Sequence, residues 1–341
     1  MPDRAPDRRT DAAETGEVDR GRPRVRLGMW LSSEEHDPRV LVALAAAAES
    51  AGVTAAMISD HLRPWVPSQG HSPHVWTVLG GIAQATERIE VGTGVTALVH
   101  RNDPIEIAHA AATAAVMFDG RFVLGVGTGE RLNEQPFGRR WPRGAERRER
   151  LRTAVDLIRR LCSGERVNVR SEHWSVERLE LSTLPPQPPP IFVASSGRKS
   201  ARLAGEIGDG LIGVSPDASI VDTFRGAGGG DRRCVAQLRV SLAATDDEAA
   251  EQAWRWWPVG VVPPALLGEL ATPGEFASVA DAIGPDGIRD TLVCCTDAAP
   301  IVTAVDRFVA AGFDTVHLHQ VGPDQQRLVD ALRSDLLPHY G

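Results

Sequence analysis

Two side chains that could exchange protons stand where short apolar runs of the sequence end. His61 follows the run at 55–59, and Glu130 follows the glycine-rich run at 125–129. A histidine titrates near neutrality and a carboxylate can act as acid or base, so the pair suits general acid–base chemistry. Each residue alone has a simpler explanation, because a lone histidine is usually structural and an acid can cap a helix. If the two runs are neighbouring barrel strands, both side chains face one pocket, and we expect them to be catalytic.

A second polar segment, Ser195-Ser196-Gly197, precedes a predicted helix that begins with Arg198 and Lys199. The free N–H groups and the dipole of a helix start attract phosphate, and the two cations add positive charge. An ordinary helix cap would use the same residue types. The segment is therefore either an anion site or a cap.

The run GVGTGE at 125–130 has the glycine content of a nucleotide-binding loop but not its spacing. A dinucleotide fingerprint needs the pattern G-x-G-x-x-G and an acidic residue about 20 positions later at a strand end. The sequence has G-x-G-x-G, and the acids that follow lie in an arginine-rich helix start. We expect these glycines to let the backbone approach a flat ligand closely.

Composition limits the kind of partner. The 341 residues are 42% hydrophobic and carry a formal net charge of −8, which argues against a nucleic-acid or anionic-membrane surface. The longest apolar run, 40–48, is much shorter than the ~20 residues of a membrane span. Four cysteines without a CxxC pair or a Cys/His cluster indicate neither a disulfide scaffold nor a metal site. We expect a cytoplasmic protein that acts on a small molecule.

The elements that must position these residues alternate between short apolar runs and longer helical patterns. This alternation predicts an α/β protein with a parallel sheet. Eight strands over about 300 residues match a (β/α)8 TIM barrel, and a doubly wound sheet is the competing architecture. The strands are predicted at 25–30, 55–59, 89–93, 122–127, 191–194, 211–214, 235–242 and 315–319.

The predicted barrel is one domain, residues 24–341, preceded by a disordered tail at 1–23. Residues 167–181 alternate and predict a hairpin. Residues 254–283 are rich in tryptophan, proline and glycine and predict an insertion near the seventh strand. Insertions of this kind tend to build the pocket of a barrel, where active sites lie at the ends of the strands.

Four collinear motifs resemble the luciferase-like monooxygenase superfamily, and within it the coenzyme F420-dependent oxidoreductases related to glucose-6-phosphate dehydrogenase of actinobacteria. They are SDHLRPW at 59–65, VGTGVT at 91–96, GRFVLGVGTGERLNE at 120–134 and SDLLP at 334–338. The resemblance runs from about residue 24 to the C-terminus. It implies a luciferase-like TIM barrel, bound deazaflavin, hydride transfer at C5 of its ring, and a homodimer.

The resemblance also implies roles for individual residues. His61 would be the acid or base beside the substrate carbon, Trp65 the ring packed over it, and Glu130 and Glu34 the remaining catalytic groups. Gly94-Val95 matches a site where relatives often carry a cis peptide behind the cofactor ring. The residues expected to bind the cofactor are Asp60, Gly94, Val95, Thr96, Gly127, Thr128, Gly129, Asn133, Ser195, Ser196 and Gly197.

Departures from the family pattern leave the substrate and the cofactor open. The positions that bind the substrate phosphate in the sugar-phosphate branch correspond to Lys199, Arg202, Ser278 and Thr291, so two expected cations are absent. We therefore expect a substrate less charged than glucose 6-phosphate, such as an alcohol, a carbonyl compound or an unsaturated intermediate.

The segments 183–190 and 262–276 resemble a sister group suspected of using an ordinary flavin, and Ala97 stands where the glucose-6-phosphate dehydrogenases have a threonine that contacts the cofactor. An FMN-dependent oxidoreductase or monooxygenase is therefore an alternative function. A flavin-binding protein without catalysis is a third.

Overall fold

The computed structural model describes residues 25–341, in which eight parallel strands form a closed barrel. Each strand pairs with the next, and β8 returns to β1, where Arg26 lies opposite Thr315. The predicted (β/α)8 barrel is confirmed, and the predicted tail at 1–23 lies outside the described residues. The strands are β1 Arg26–Leu31, β2 Ala55–Ile58, β3 Glu90–Thr93, β4 Phe122–Gly127, β5 Ile191–Ala194, β6 Gly210–Gly213, β7 Arg233–Leu242 and β8 Thr315–Gln320.

Helices surround the barrel, and their ends follow ordinary capping rules. The side chain of Asp37 caps the first helix and Pro38 occupies its first turn; Asp103 and Pro104 do the same for the third. Within residues 25–341 no helix has the length and apolar character needed to cross a membrane. The longer helices are α1 Pro38–Ser50, α2 Val75–Ala85, α3 Pro104–Met117, α4 Gly144–Cys162, α5 Arg198–Ile207, α6 Ala218–Phe224, α7 Asp246–Trp256, α8 Pro273–Ile283, α9 Ala299–Ala310 and α10 Gln325–Ala331.

Apolar side chains fill both sides of the barrel wall. Residues on the outer face of the strands pack beneath the helices, as Ala236 and Leu238 of β7 do. Residues on the inner face form a separate cluster that plugs the barrel: Trp30, Met57, Val123, Phe192, Ile212 and Val235. Because the interior is filled, ligands can reach only the mouth above this plug.

Three features outside the eight strands shape the molecule. The predicted hairpin is present as the antiparallel strands Val167–Arg170 and Ser175–Leu179. Two further short strands were not predicted: Thr96–Ala97 pairs with β4, and Val293–Cys295 pairs with β7.

The chain between β7 and β8 forms a roof over one side of the mouth. We use "roof" for α7, the short helices Pro258–Val261, Pro264–Leu267 and Ile288–Thr291, and α8. These elements share an apolar cluster distinct from the barrel core. Trp65 packs against Phe276 of the roof with ring centroids 5.3 Å apart. The predicted insertion thus follows the seventh strand and contacts a residue expected to be catalytic.

Candidate active site

A histidine and a glutamate meet at the mouth of the barrel. Nε2 of His61, beyond β2, lies 3.4 Å from a carboxylate oxygen of Glu34, in the loop after β1. Both residues are buried, with 8% and 2% of their surface exposed. The other carboxylate oxygen of Glu34 accepts hydrogen bonds from two hydroxyls, that of Ser32 at 3.0 Å and that of Ser59. Burial opposes ionisation of Glu34, but the adjacent His61 and the Ser59 hydroxyl outweigh it and hold the pKa of the carboxyl below its ordinary value.

Asn133 orients the imidazole of His61. Its amide oxygen accepts the backbone N–H groups of Leu62 at 2.9 Å and Arg63 at 3.3 Å. The amide NH2 therefore faces the ring and donates to Nδ1 of His61 at 3.1 Å. Nδ1 also lies 3.3 Å from the carbonyl oxygen of Arg63, but its shorter contact is with an amide group that can only donate, so the neutral ring accepts at Nδ1 and carries its proton on Nε2, directed at Glu34. The ring also packs against Trp65, with centroids 4.8 Å apart.

Asp60, predicted to contact the cofactor, is held in a buried ion pair. Arg101 donates from Nη2 to its carboxylate at 2.6 Å and from Nη1 to its backbone carbonyl at 3.0 Å. The hydroxyl of Thr96 donates to the second carboxylate oxygen at 2.8 Å. No motif or spacing points to Arg101, which lies in a loop beyond β3. The pair fixes the start of the segment that carries His61.

Glycines make one side of the mouth flat. The Gly94-Val95 peptide is cis, as the resemblance implied. Val95 and Ala194 are partly exposed and pack on the plug of the barrel. A Cβ on Gly127 would lie 2.7 Å from Cγ2 of Val95 and 3.7 Å from Ala194, so only glycine keeps the surface between them level. We call this surface, formed by Val95, Gly127 and Ala194, the floor. A planar ring with an apolar face fits it.

Glu130 lies at the rim, where it precedes the helix Arg131–Glu134. It is partly exposed, and its carboxylate makes no hydrogen bond within residues 25–341. It is therefore not joined directly to the His61–Glu34 pair, although Asn133 of the same helix contacts His61. The buried carboxylate in this region is Glu134, which accepts two backbone N–H groups at 2.9 Å from the loop that carries Arg101. Burial raises the pKa of Glu134 to about 7.

The segment Ser195 to Gly197 leads into α5, as predicted. The hydroxyl of Ser195 donates to the carbonyl of Gly197 at 3.0 Å and is 3.0 Å from the hydroxyl of Ser200. No side chain caps the first turn of α5. The N–H groups of that turn are therefore not satisfied by a side-chain cap, which was the alternative to an anion site. The geometry retains the features of an anion site. Ser196 is exposed beside it.

Opposite the floor, a chain of polar side chains crosses β7 and β8. Arg239 donates to the amide oxygen of Gln237 at 3.1 Å, and the amide nitrogen of Gln237 lies 3.1 Å from Nδ1 of His319. Nε2 of His319 is 3.1 Å from Glu35, which also accepts the N–H of Gly322. Burial raises the pKa of Glu35 to about 8 and, with the charge of Arg239, lowers the pKa of His319 to about 3.

This chain was not predicted as part of the site, although one sequence signal existed. Gln237 and Arg239 are polar residues at alternate positions of an apolar strand, and Val235 of the same face lies in the barrel plug. Alternation in a barrel strand assigns such residues to the interior. The structure thus brings together His61, Glu34, Trp65 and Asn133 at one point of the mouth, with Arg239 and its partners beside them.

Comparison with known proteins identifies the family. The sequence matches the luciferase-like monooxygenase family over residues 24–315. The F420-dependent glucose-6-phosphate dehydrogenase of Nakamurella multipartita is 35% identical and is matched over 93% of this chain and 96% of its own length. An F420-dependent secondary alcohol dehydrogenase, solved in complex with an F420-acetone adduct, is 26% identical with a TM-score of 0.84; the match covers 91% of this chain and 97% of that one.

The chain belongs to the luciferase-like monooxygenase family. The two relatives described above, 35% and 26% identical to this chain, are named as F420-dependent enzymes. The resemblance inferred from the four motifs is therefore confirmed. The coenzyme F420-dependent tetrahydromethanopterin reductase of Methanopyrus kandleri, 19% identical with a TM-score of 0.76 over 93% of this chain and 99% of that one, shares the fold.

Proposed function

We propose that this protein is a coenzyme F420-dependent oxidoreductase that passes a hydride between C5 of the deazaflavin and a small organic substrate. The observation that carries the proposal is the buried His61–Glu34 pair beside a flat apolar floor. The family relatives named as F420-dependent support the choice of cofactor. When bound, the deazaflavin supplies an acceptor or donor for hydride, and the protein supplies orientation and protons.

The residues that fit the cofactor surround the floor. Val95, Gly127 and Ala194 offer a level apolar surface for one face of a ring. The uncapped first turn of α5 and the Ser195–Gly197 segment offer N–H groups to a phosphate. Gly94, Thr128 and Gly129 are partly exposed next to the floor, and the hydrogen bond between Thr96 and Asp60 holds the chain beside it.

The proton chemistry follows from the orientation of His61. Its Nε2–H group is a donor directed at the ionised carboxylate of Glu34, which is an acceptor, so a substrate oxygen placed between them would meet one of each. In reduction of a carbonyl, the protonated carboxyl of Glu34 returns its proton to the oxygen as hydride arrives at carbon, while the Nε2–H group of His61 donates a hydrogen bond to the same oxygen. In oxidation of an alcohol, the carboxylate takes the hydroxyl proton as hydride leaves. We assign Glu130 a secondary role at the rim, with Trp65 shaping the space above the reacting carbon.

We further propose that the substrate is not glucose 6-phosphate. Lys199 and Arg202 lie exposed on α5, where they could meet an anion. The other two corresponding positions carry no charge: Ser278 is exposed on α8, and the hydroxyl of Thr291 donates to its own helix at 2.9 Å. A phosphate with about two negative charges would lack two of the charge-assisted contacts expected of a dedicated site.

The deciding experiment is a fluorescence titration of purified apoprotein with oxidised F420 and, in parallel, with FMN. Micromolar or tighter binding of F420 together with weak FMN binding is the expected result. The reverse preference would refute the cofactor assignment and move the protein to the FMN-dependent alternative. Glucose 6-phosphate turnover with a low Michaelis constant would refute the substrate assignment.

His61→Ala tests the site once the cofactor is established. Removing the Nε2–H donor to the substrate oxygen should lower the rate of hydride transfer by about 10²–10³-fold without weakening F420 binding. His173→Ala is the matched control, because His173 lies in the turn of the hairpin and not in the loops that form the candidate site. This variant should leave the rate unchanged. Unchanged activity in His61→Ala would refute our site or favour a non-catalytic role. The predicted homodimer remains to be tested by light scattering.

A further inference from the structure

A cation on β7 faces the inside of the barrel mouth without a counterion. Val235, Gln237 and Arg239 occupy alternate positions on the inner face of the strand, with Val235 in the plug and Arg239 nearest the mouth. Arg239 is the register partner of His319 on β8. Its guanidinium lies over the ring of Trp257, 5.1 Å from the centroid, which fixes its position from the roof side.

The hydrogen-bonding capacity of Arg239 is largely unused. A guanidinium carries five N–H donors, and Arg239 makes one hydrogen bond within residues 25–341, to Gln237. Its Nε is buried without a partner, and no carboxylate among the described residues forms an ion pair with it. Arg101, the other enclosed arginine of the mouth, has its counterion Asp60 at 2.6 Å. A desolvated cation without such a partner is costly unless a ligand supplies the anion.

The surroundings of Arg239 locate that anion beside the reacting groups. Glu34 is the acidic group whose charge acts on Arg239, and the same carboxylate lies 3.4 Å from His61. The neutral His319 lies on the other side and is held in place through Gln237. The floor lies across the mouth, on Val95 beyond β3 and on the last residues of β4 and β5. Arg239 therefore faces the half of the mouth where His61 would meet a substrate.

We infer that Arg239 binds a carboxylate of the substrate, close to the carbon that exchanges hydride. The inference extends the proposed function and rests on it, because the bound carboxylate belongs to a substrate only if the protein is an oxidoreductase. A carboxylate matches the planar fork of a guanidinium and needs one cation, which is what this half of the mouth offers. The substrate class is thus a small organic acid with an oxidisable hydroxyl or a reducible group beside the carboxylate.

The test measures binding, so it does not depend on turnover or on the identity of the cofactor. Isobutyrate and isobutyramide have nearly the same shape and differ in charge. Titration calorimetry on the apoprotein, repeated with F420 bound, gives the affinity of each. Wild type should prefer isobutyrate by at least about tenfold. Arg239→Gln should abolish the preference, and Arg239→Lys, which keeps the charge but not the fork, should retain part of it.

Arg255→Gln is the matched control. Arg255 also lies over a tryptophan, 5.7 Å from the centroid of Trp256, but it is exposed on α7. Its loss removes one positive charge and one ring contact and should leave the preference for isobutyrate intact. A wild type that binds both compounds equally would overturn the inference, as would a preference that survives in Arg239→Gln. If Arg239→Gln does not fold, equal selectivity of wild type and Arg239→Lys overturns it instead.

Discussion

Replacement of Asn133 by alanine tests how the acid–base site is organised. The substitution removes two hydrogen bonds to the backbone N–H groups of Leu62 and Arg63 and one to His61. An N–H group left unpaired in an enclosed site costs about 1–3 kcal/mol. The free energy of unfolding should therefore fall by roughly 2–5 kcal/mol, which is a large share of the ~5–15 kcal/mol typical of a folded domain.

Asn133→Asp separates the structural contribution from the chemical one. A carboxylate still accepts the two N–H groups, so the free energy of unfolding should fall by only roughly 1–2 kcal/mol. The second carboxylate oxygen replaces the amide NH2 group that faces Nδ1 of His61. Two acceptors cannot face each other, so the ring must carry a proton on Nδ1. The donor directed at Glu34 in the neutral ring is then lost, and activity should fall with it.

Urea unfolding measures the stability of both variants. Nitrogen NMR of protein labelled in its histidine rings reports the tautomer, with His61 identified by the signal missing in His61→Ala. Wild type should show the proton on Nε2 and Asn133→Asp should show it on Nδ1. A proton on Nδ1 in neutral wild type, or an alanine variant as stable as wild type, would refute the reasoning.

Three further predictions concern stability and the floor. Arg101→Met should lower the free energy of unfolding by about 3–5 kcal/mol because it leaves Asp60 buried and unpaired; addition of Asp60→Asn should recover part of the loss in a double-mutant cycle. The pKa of Glu35 is about 8 in the folded protein against 4.5 for an ordinary glutamate, so between these values the folded state alone keeps the proton and stability falls as pH rises. Glu35→Gln should reduce that slope in urea unfolding at pH 5, 7 and 9; an unchanged slope would contradict the assignment. Gly127→Ala would bring a methyl group to 2.7 Å from Val95 and should weaken F420 binding about tenfold in the fluorescence titration.

The sequence predicted the barrel well because its signals are local. Each strand is a short apolar run, several helices begin at a recognisable cap, and eight repetitions leave few other architectures. The strands at 122–127 and 191–194 were predicted with the bounds found, and the other six differ by one or two residues at an end. The strand Val293–Cys295 was missed because only three residues pair, at the edge of the roof.

The candidate site was predicted less completely because its organisation depends on distant contacts. His61 and Trp65 lie in one motif, so the sequence could point to both. Arg101 and Asp60 are 41 positions apart, and no spacing rule joins an ion pair across two loops. The same holds for Asn133, whose amide is 72 positions from the ring that it orients. Sequence patterns therefore predicted which residues lie at the strand ends. The side chains that these residues contact depend on closure of the barrel and could not be predicted.

The separate packing of the roof has a consequence for engineering. Its apolar cluster is distinct from the barrel core, and eight of the eleven buried residues of that cluster come from the chain between β7 and β8. The His61–Glu34 pair and the floor come instead from the first five strands and the loops that follow them. One wall of the substrate space is therefore encoded apart from the proton-transfer groups and apart from Arg239. Exchange of the 243–314 segment between relatives offers a way to change what the enzyme accepts while keeping how it reacts.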